Sequence, residues 1–147
     1  MDTKKIIISQ ALKIFGLVVL FFFLMKFLNL EHITELRLFN VFFVLYGING
    51  AIKLNIHKNK TNNYLSNLYL GFASSFLAVI FLSISLTIYL FYIQPSFINT
   101  IEDLNMWGSN LSPPLVAFAI LVEGIASSVI LTFILMQYWK NHKISIA

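Results

Sequence analysis

Residues 112–139 read SPPLVAFAILVEGIASSVILTFILMQYW, an apolar stretch carrying one charge, Glu123. Ser112 can cap a helix, and Pro113 suits its first position, where no N–H is needed. Tyr138 and Trp139, followed by Lys140, are residue types that favour the boundary between acyl chains and water. A helix rises about 1.5 Å per residue, so roughly 20 apolar residues cross the hydrocarbon core of a bilayer. The stretch therefore predicts a membrane-crossing helix.

Three more runs of that kind precede it. The first covers residues 8–28 and contains Lys13 and Lys26. Those lysines stand about 20 Å apart along a helix, and each stem can carry its charge toward the nearer surface. Lys4 and Lys5 ahead of an apolar run resemble a signal peptide. The run, however, continues through Phe21-Phe22-Phe23-Leu24-Met25 with no small-residue cleavage site, which reads as a retained helix. The second run is residues 36–55, with Asn40, Tyr46, Gly47, Asn49 and Ala51 inside it. The third is residues 64–93, longer than a bilayer requires, with Tyr89 and Tyr92 near its end. His57-Lys58-Asn59-Lys60-Thr61-Asn62-Asn63 between them is a polar loop.

Composition agrees with the runs. Of 147 residues, 59% are hydrophobic and 11% charged, and the mean hydropathy is +0.83. A soluble domain of this size cannot bury so much apolar surface. Cysteine is absent, which excludes disulfides and thiol chemistry. The basic residues do not gather into one patch among aromatic readers, so nucleic acid is not an expected partner.

Residues 96–107, between the third and fourth runs, place Phe97, Ile98, Ile101, Leu104 and Trp107 at helical spacing, with Glu102 and Asp103 facing elsewhere. This predicts a short amphipathic helix on the membrane surface, stopped at Gly108. The expected fold is an all-α membrane protein. It is one transmembrane domain, residues 1–147, of four helices in a compact antiparallel bundle, with the short interfacial helix between the third and fourth.

Lysine placement predicts the orientation. One side receives Lys4, Lys5, Lys13, Lys53, Lys58, Lys60, Lys140 and Lys143 against Asp2 alone. The other receives Lys26 and Arg37 against Glu31, Glu35, Glu102 and Asp103. Basic residues collect on the cytoplasmic side, so both termini are expected there.

Glu123 lies about ten residues into its helix, roughly 15 Å and near the bilayer midplane. A carboxylate at that depth needs a partner, water or a proton. Counting rise from each helix end puts Tyr46, Ser83 and Ser85 at the same level, and Asn49 near Ser127 and Ser128. The expected intramembrane polar site is thus Glu123, Tyr46, Asn49, Ser83, Ser85 and Ser127. Gly47 with Ala51, Gly71 with Ser75, and Gly124 with Ser128 are pairs four apart, which share a helix face and let backbones approach. His32 and Glu35 have a spacing two metal ligands can use, but no third ligand accompanies them. No catalytic constellation, cofactor motif or metal set is present in the sequence pattern.

Leu45-Tyr46-Gly47-Ile48 ahead of a lysine-rich turn, Gln94-Pro95-Ser96-Phe97 after the third span, and Leu121-Val122-Glu123-Gly124 in the fourth together give a chain that resembles a family of small bacterial membrane proteins classed as a domain of unknown function. The likeness extends over nearly the whole chain. It implies a four-helix integral protein of a bacterial inner membrane, and it implies no activity. Two functional expectations stand. One is a small non-enzymatic protein acting as an accessory or regulatory subunit, partnered by the bilayer and by a second copy or another membrane protein. The alternative is an oligomeric small transporter or channel that binds a proton or cation at Glu123.

Overall fold

A computed structural model describes residues 2–60, 63–105 and 107–141. Lys143, counted in the orientation, lies outside the described residues, as do Thr61 and Asn62 of the polar loop and Met106 of the expected surface helix.

All regular structure among the described residues is helical. Helix α1 spans Thr3–Phe27, with the Asp2 side chain accepting the Lys4 N–H at its start. Helix α2 spans Phe39–Asn59 and is entered through a 3-10 turn, Thr34–Leu38. Helix α3 spans Tyr64–Ile88, capped by Asn63, and widens into a π turn over Tyr89–Ile93. Helix α4 spans Phe97–Asp103, and α5 spans Pro113–Asn141. Four helices are long and apolar enough to cross a membrane: Thr3–Phe27, Glu35–Asn59, Tyr64–Ile93 and Pro113–Lys140.

The helix limits differ from the apolar runs for physical reasons. Helix α1 starts before its run because Lys4 and Lys5 form a solvated first turn under the Asp2 cap. Helix α2 continues past its run through His57 and Lys58, residue types that suit a helix C-terminus. Helix α4 stops short of Trp107, because Asn105 takes a left-handed conformation (φ 50°), which an Asn tolerates and a helix does not.

Helices α2 and α3 each pack against the other and against both α1 and α5. Phe15 meets Phe81 and Phe22 meets Tyr89, so α1 and α3 run in the same direction. A Cβ on Gly71 would touch Ile48 and Thr132, and one on Gly124 would touch Val79. Helix α3 therefore runs opposite to α2 and α5. One end of the molecule, the termini end, carries Thr3, Asn59, Tyr64 and Asn141; the loop end carries Phe27, Ile93, α4 and Pro113.

Small residues set the close crossings. A Cβ on Gly47 would stand 2.2 Å from Ile14 Cγ1, so α1 and α2 touch where only glycine fits. Ser74, Ser75 and Thr132 donate to carbonyls of their own helices, which satisfies each hydroxyl without a second helix. At the termini end Asn55 Nδ2 donates to Asn67 Oδ1 at 2.8 Å, joining α2 to α3. At the loop end Tyr89, Leu90, Phe97, Ile101, Leu111 and Val116 form a buried cluster. The apolar face of α4 is thus turned onto protein. The outward faces stay apolar: within its most apolar window each span buries a third of its residues or fewer. A surface of that character needs acyl chains for solvent.

Candidate functional site

The register of α2 decides which charged groups meet. Ile48 lies beside Gly71 and Thr132, so α2 and α5 run in the same direction with Ile48 level with Thr132. Eleven residues back from Ile48 is Arg37; eleven back from Thr132 is Leu121, within a turn of Glu123. Helix α2 therefore starts deeper in the molecule than the loop-end limits of α1, α3 and α5. The link from Leu28 to Leu38 descends into the opening left above it and brings Arg37 with it.

Three features converge there. Glu123, of opposite charge, lies within electrostatic range of Arg37. The guanidinium carbon of Arg37 lies 5.0 Å from the centroid of the Trp107 ring, so the indole covers the cation. Glu123 itself sits on the exposed flank of α5. Two buried oxygens, Glu31 Oε2 in the link and Asn40 Oδ1 in the first turn of α2, have no hydrogen-bond partner among the described residues. Buried acceptors of this kind are costly unless a donor reaches them.

A second polar group stands beside the first. Lys26 donates to the Tyr89 hydroxyl and to Gln94 Oε1, and the Tyr89 hydroxyl donates to Gln94 Oε1 at 2.7 Å. The ammonium also lies 4.9 Å from the Tyr89 ring centroid. The π turn after α3 places both partners: it closes with Gln94 N–H on the Tyr89 carbonyl, so the side chain and the ring face Lys26 together. Glu102 Oε1 accepts the Leu111 N–H at 2.6 Å, which ties α4 to the start of α5.

The residues grouped from sequence are dispersed. Tyr46 is exposed and lines a surface furrow with Leu135 and Tyr138, twelve or more residues along α5 from Glu123. Ser83 is buried and donates to the Ala117 carbonyl at 2.9 Å, bridging α3 to α5. Ser85 and Ser127 are half-buried. Asn49 accepts the Trp139 indole N–H at 2.9 Å instead of meeting Ser127 or Ser128. The hydroxyl of Ser128 is buried without a partner among the described residues. Ala51 and Ser75 are buried, as are Gly47 and Gly71, while Gly124 is half-buried against Val79. The knot of Glu123, Tyr46, Ser83 and Ser85 is therefore not assembled.

Arg37 was missed because counting from each apolar run assumes four helices starting in one plane. A signal existed: the second span is the least apolar, with a mean window hydropathy of 1.3 against 2.3 or more in the others, and it opens on the chain's one arginine. Among the described residues no group of three or more His, Asp or Glu side chains could hold a metal ion. What the site offers is an arginine beneath an indole, with the Glu123 carboxylate of α5 within electrostatic range.

No family model matches the chain, and neither a curated protein nor a solved structure matches it.

Proposed function

We propose that this chain is a non-enzymatic multi-pass protein of a bacterial inner membrane that acts as an accessory or regulatory subunit. Its four spans would cross as a compact antiparallel bundle with both termini cytoplasmic. Helix α4 would then sit at the far interface, with Phe97 and Ile101 on the protein and Asn99 and Asp103 in water. Lysine placement and the apolar outward faces support the orientation and the setting.

The observation that carries the functional reading is the position of Glu123. Its carboxylate is exposed on a flank of α5, at membrane depth, with its counter-charge Arg37 supplied by the same chain. Tyr46 and the serines that would relay a proton from it lie elsewhere. A charge pair half-presented to the membrane is best solvated by polar groups of a neighbouring helix. That neighbour belongs to a second copy or to another membrane protein.

The chain lacks cysteine, which makes the test clean. Ala126→Cys, on the exposed flank one turn beyond Glu123, should give a cross-linked species in native membranes. Glu123→Leu should abolish it while helical content stays unchanged. Monomer alone at Ala126 and at Val122 would count against a subunit role. A proton or cation flux through reconstituted vesicles that Glu123→Gln removes would replace it with the transport reading.

A further inference from the structure

Helix α2 carries a second, separate collection of polar groups on its outward face, toward the termini end. A cavity of about 330 Å³ between α1 and α2 is lined by Lys13, Lys53 and Lys58, with Gln10, Asn49 and Tyr46. It adjoins a cavity of about 370 Å³ between α2 and α5, which shares Tyr46 and Asn49 and is otherwise lined mainly by Phe42, Leu45 and Leu135. Together they make a furrow from Phe42 to Lys58, about 24 Å along the helix.

Three features give the basic part its chemistry. First, every polar group that is free there can donate. Indole N–H only donates, so the oxygen of Asn49 must face Trp139, leaving the Asn49 NH₂ for the furrow. Gln10 is 2% exposed, yet its amide makes no hydrogen bond among the described residues. Second, among the described residues no acidic side chain lines either cavity. Third, Lys13 stands about ten residues into α1, roughly 15 Å from its start. Ile14 beside it meets Gly47 in the middle of α2. That ammonium has no ion pair among the described residues, and at membrane depth a lysine without one is costly.

We propose that the furrow binds an anionic phospholipid of the leaflet on the termini side. Its phosphate would be held by Lys13, Lys53 and the Gln10 and Asn49 amides, and an acyl chain would lie along Phe42, Leu45 and Leu135. Along α2 the polarity runs the right way: Lys53 and Lys58 are nearer the termini end, and Phe42 and Leu45 lie farther from it. Basic pockets between membrane helices recognise anionic headgroups by this arrangement.

The test uses the full chain purified in detergent and titrated with phosphatidylglycerol, phosphatidylcholine or inorganic phosphate, with bound species read by native mass spectrometry. Phosphatidylglycerol should be retained at about tenfold lower concentration than phosphatidylcholine. The Lys13→Gln/Lys53→Gln variant should lose that preference. Lys4→Gln/Lys5→Gln, which removes the same charge outside the furrow, should keep it. Lys13→Arg should also keep it, showing that a change at this position leaves the fold intact. Inorganic phosphate should give no adduct at lipid concentrations. Equal retention of the two lipids, or an undiminished preference in the Lys13/Lys53 variant, would overturn the site. Phosphate binding as tight as lipid binding would overturn the lipid assignment.

Discussion

Helix α1 carries two lysines inside its span, and the molecule treats them differently. Lys26, at the loop end, is enclosed: Tyr89 and Gln94 accept its protons, and the Tyr89 ring lies beside it. Lys13, toward the termini end, has an open furrow, two amide groups free to donate, and no carboxylate. The acidic residues explain part of the contrast. Among the described residues only Asp2 belongs to the termini end, where it caps α1; Glu31, Glu35, Glu102, Asp103 and Glu123 all lie toward the loop end. The loop end satisfies its charges with protein. The termini end leaves a cationic face unmatched, which fits a surface meant for something other than protein.

The contrast is most easily broken in the packing. Phe97 is buried under α4, edge-on to Phe22 and Tyr89. Phe42, in the furrow, is exposed. Phe97→Ala should cost about 3 kcal/mol, because it leaves a cavity among rings that cannot close in. Phe42→Ala should stay within about 0.5 kcal/mol. Thermal unfolding in one detergent measures both. Similar losses would mean that α4 is not a packed lid and that the two ends do not differ.

A smaller difference separates the lysines themselves. Lys26→Met takes the ammonium from the buried Tyr89 hydroxyl and from the half-buried Gln94 Oε1, which keeps the Tyr89 O–H, and should cost about 1 kcal/mol. Lys13→Met removes a charge with no protein partner, so stability in detergent should hold or rise. Denaturant or thermal titration of the two variants side by side decides it. A larger loss at Lys13 would point to a protein counter-charge for that ammonium.

How much of this was readable in the residues follows from what each pattern measures. Apolar runs measure the hydrocarbon layer, so all four spans were legible while their ends were not: Lys4, Lys5, His57 and Lys58 are helical but lie outside the apolar part. The period through Phe97 and Ile101 revealed α4, but it did not reveal that those side chains face protein. Glu123 was legible as a carboxylate without local excuse. Its coupling to Arg37 was not, since that depends on how far α2 is set back, a property of the Gly47–Ile14 and Gly71–Ile48 crossings. The furrow was invisible for the same reason. Gln10, Lys13, Asn49 and Lys53 become neighbours only once α1 and α2 cross closely at Gly47.

Gly50 offers the gentlest probe of the contrast. A Cβ there would come within 2.6 Å of Gln10 Oε1 and 3.2 Å of its Cδ, the far end of a flexible side chain. The amide would swing away, and the helix would gain from alanine up to about 1 kcal/mol in propensity. Gly50→Ala should therefore leave stability unchanged or slightly raised, while the preference for phosphatidylglycerol falls a few-fold. The two readouts separate the roles of Gln10. Lost stability with lipid preference intact would make Gln10 a packing residue filling the space above a glycine. Intact stability with weakened preference would make it a donor held in place for a ligand, because its amide could then be moved without loosening the helices around it.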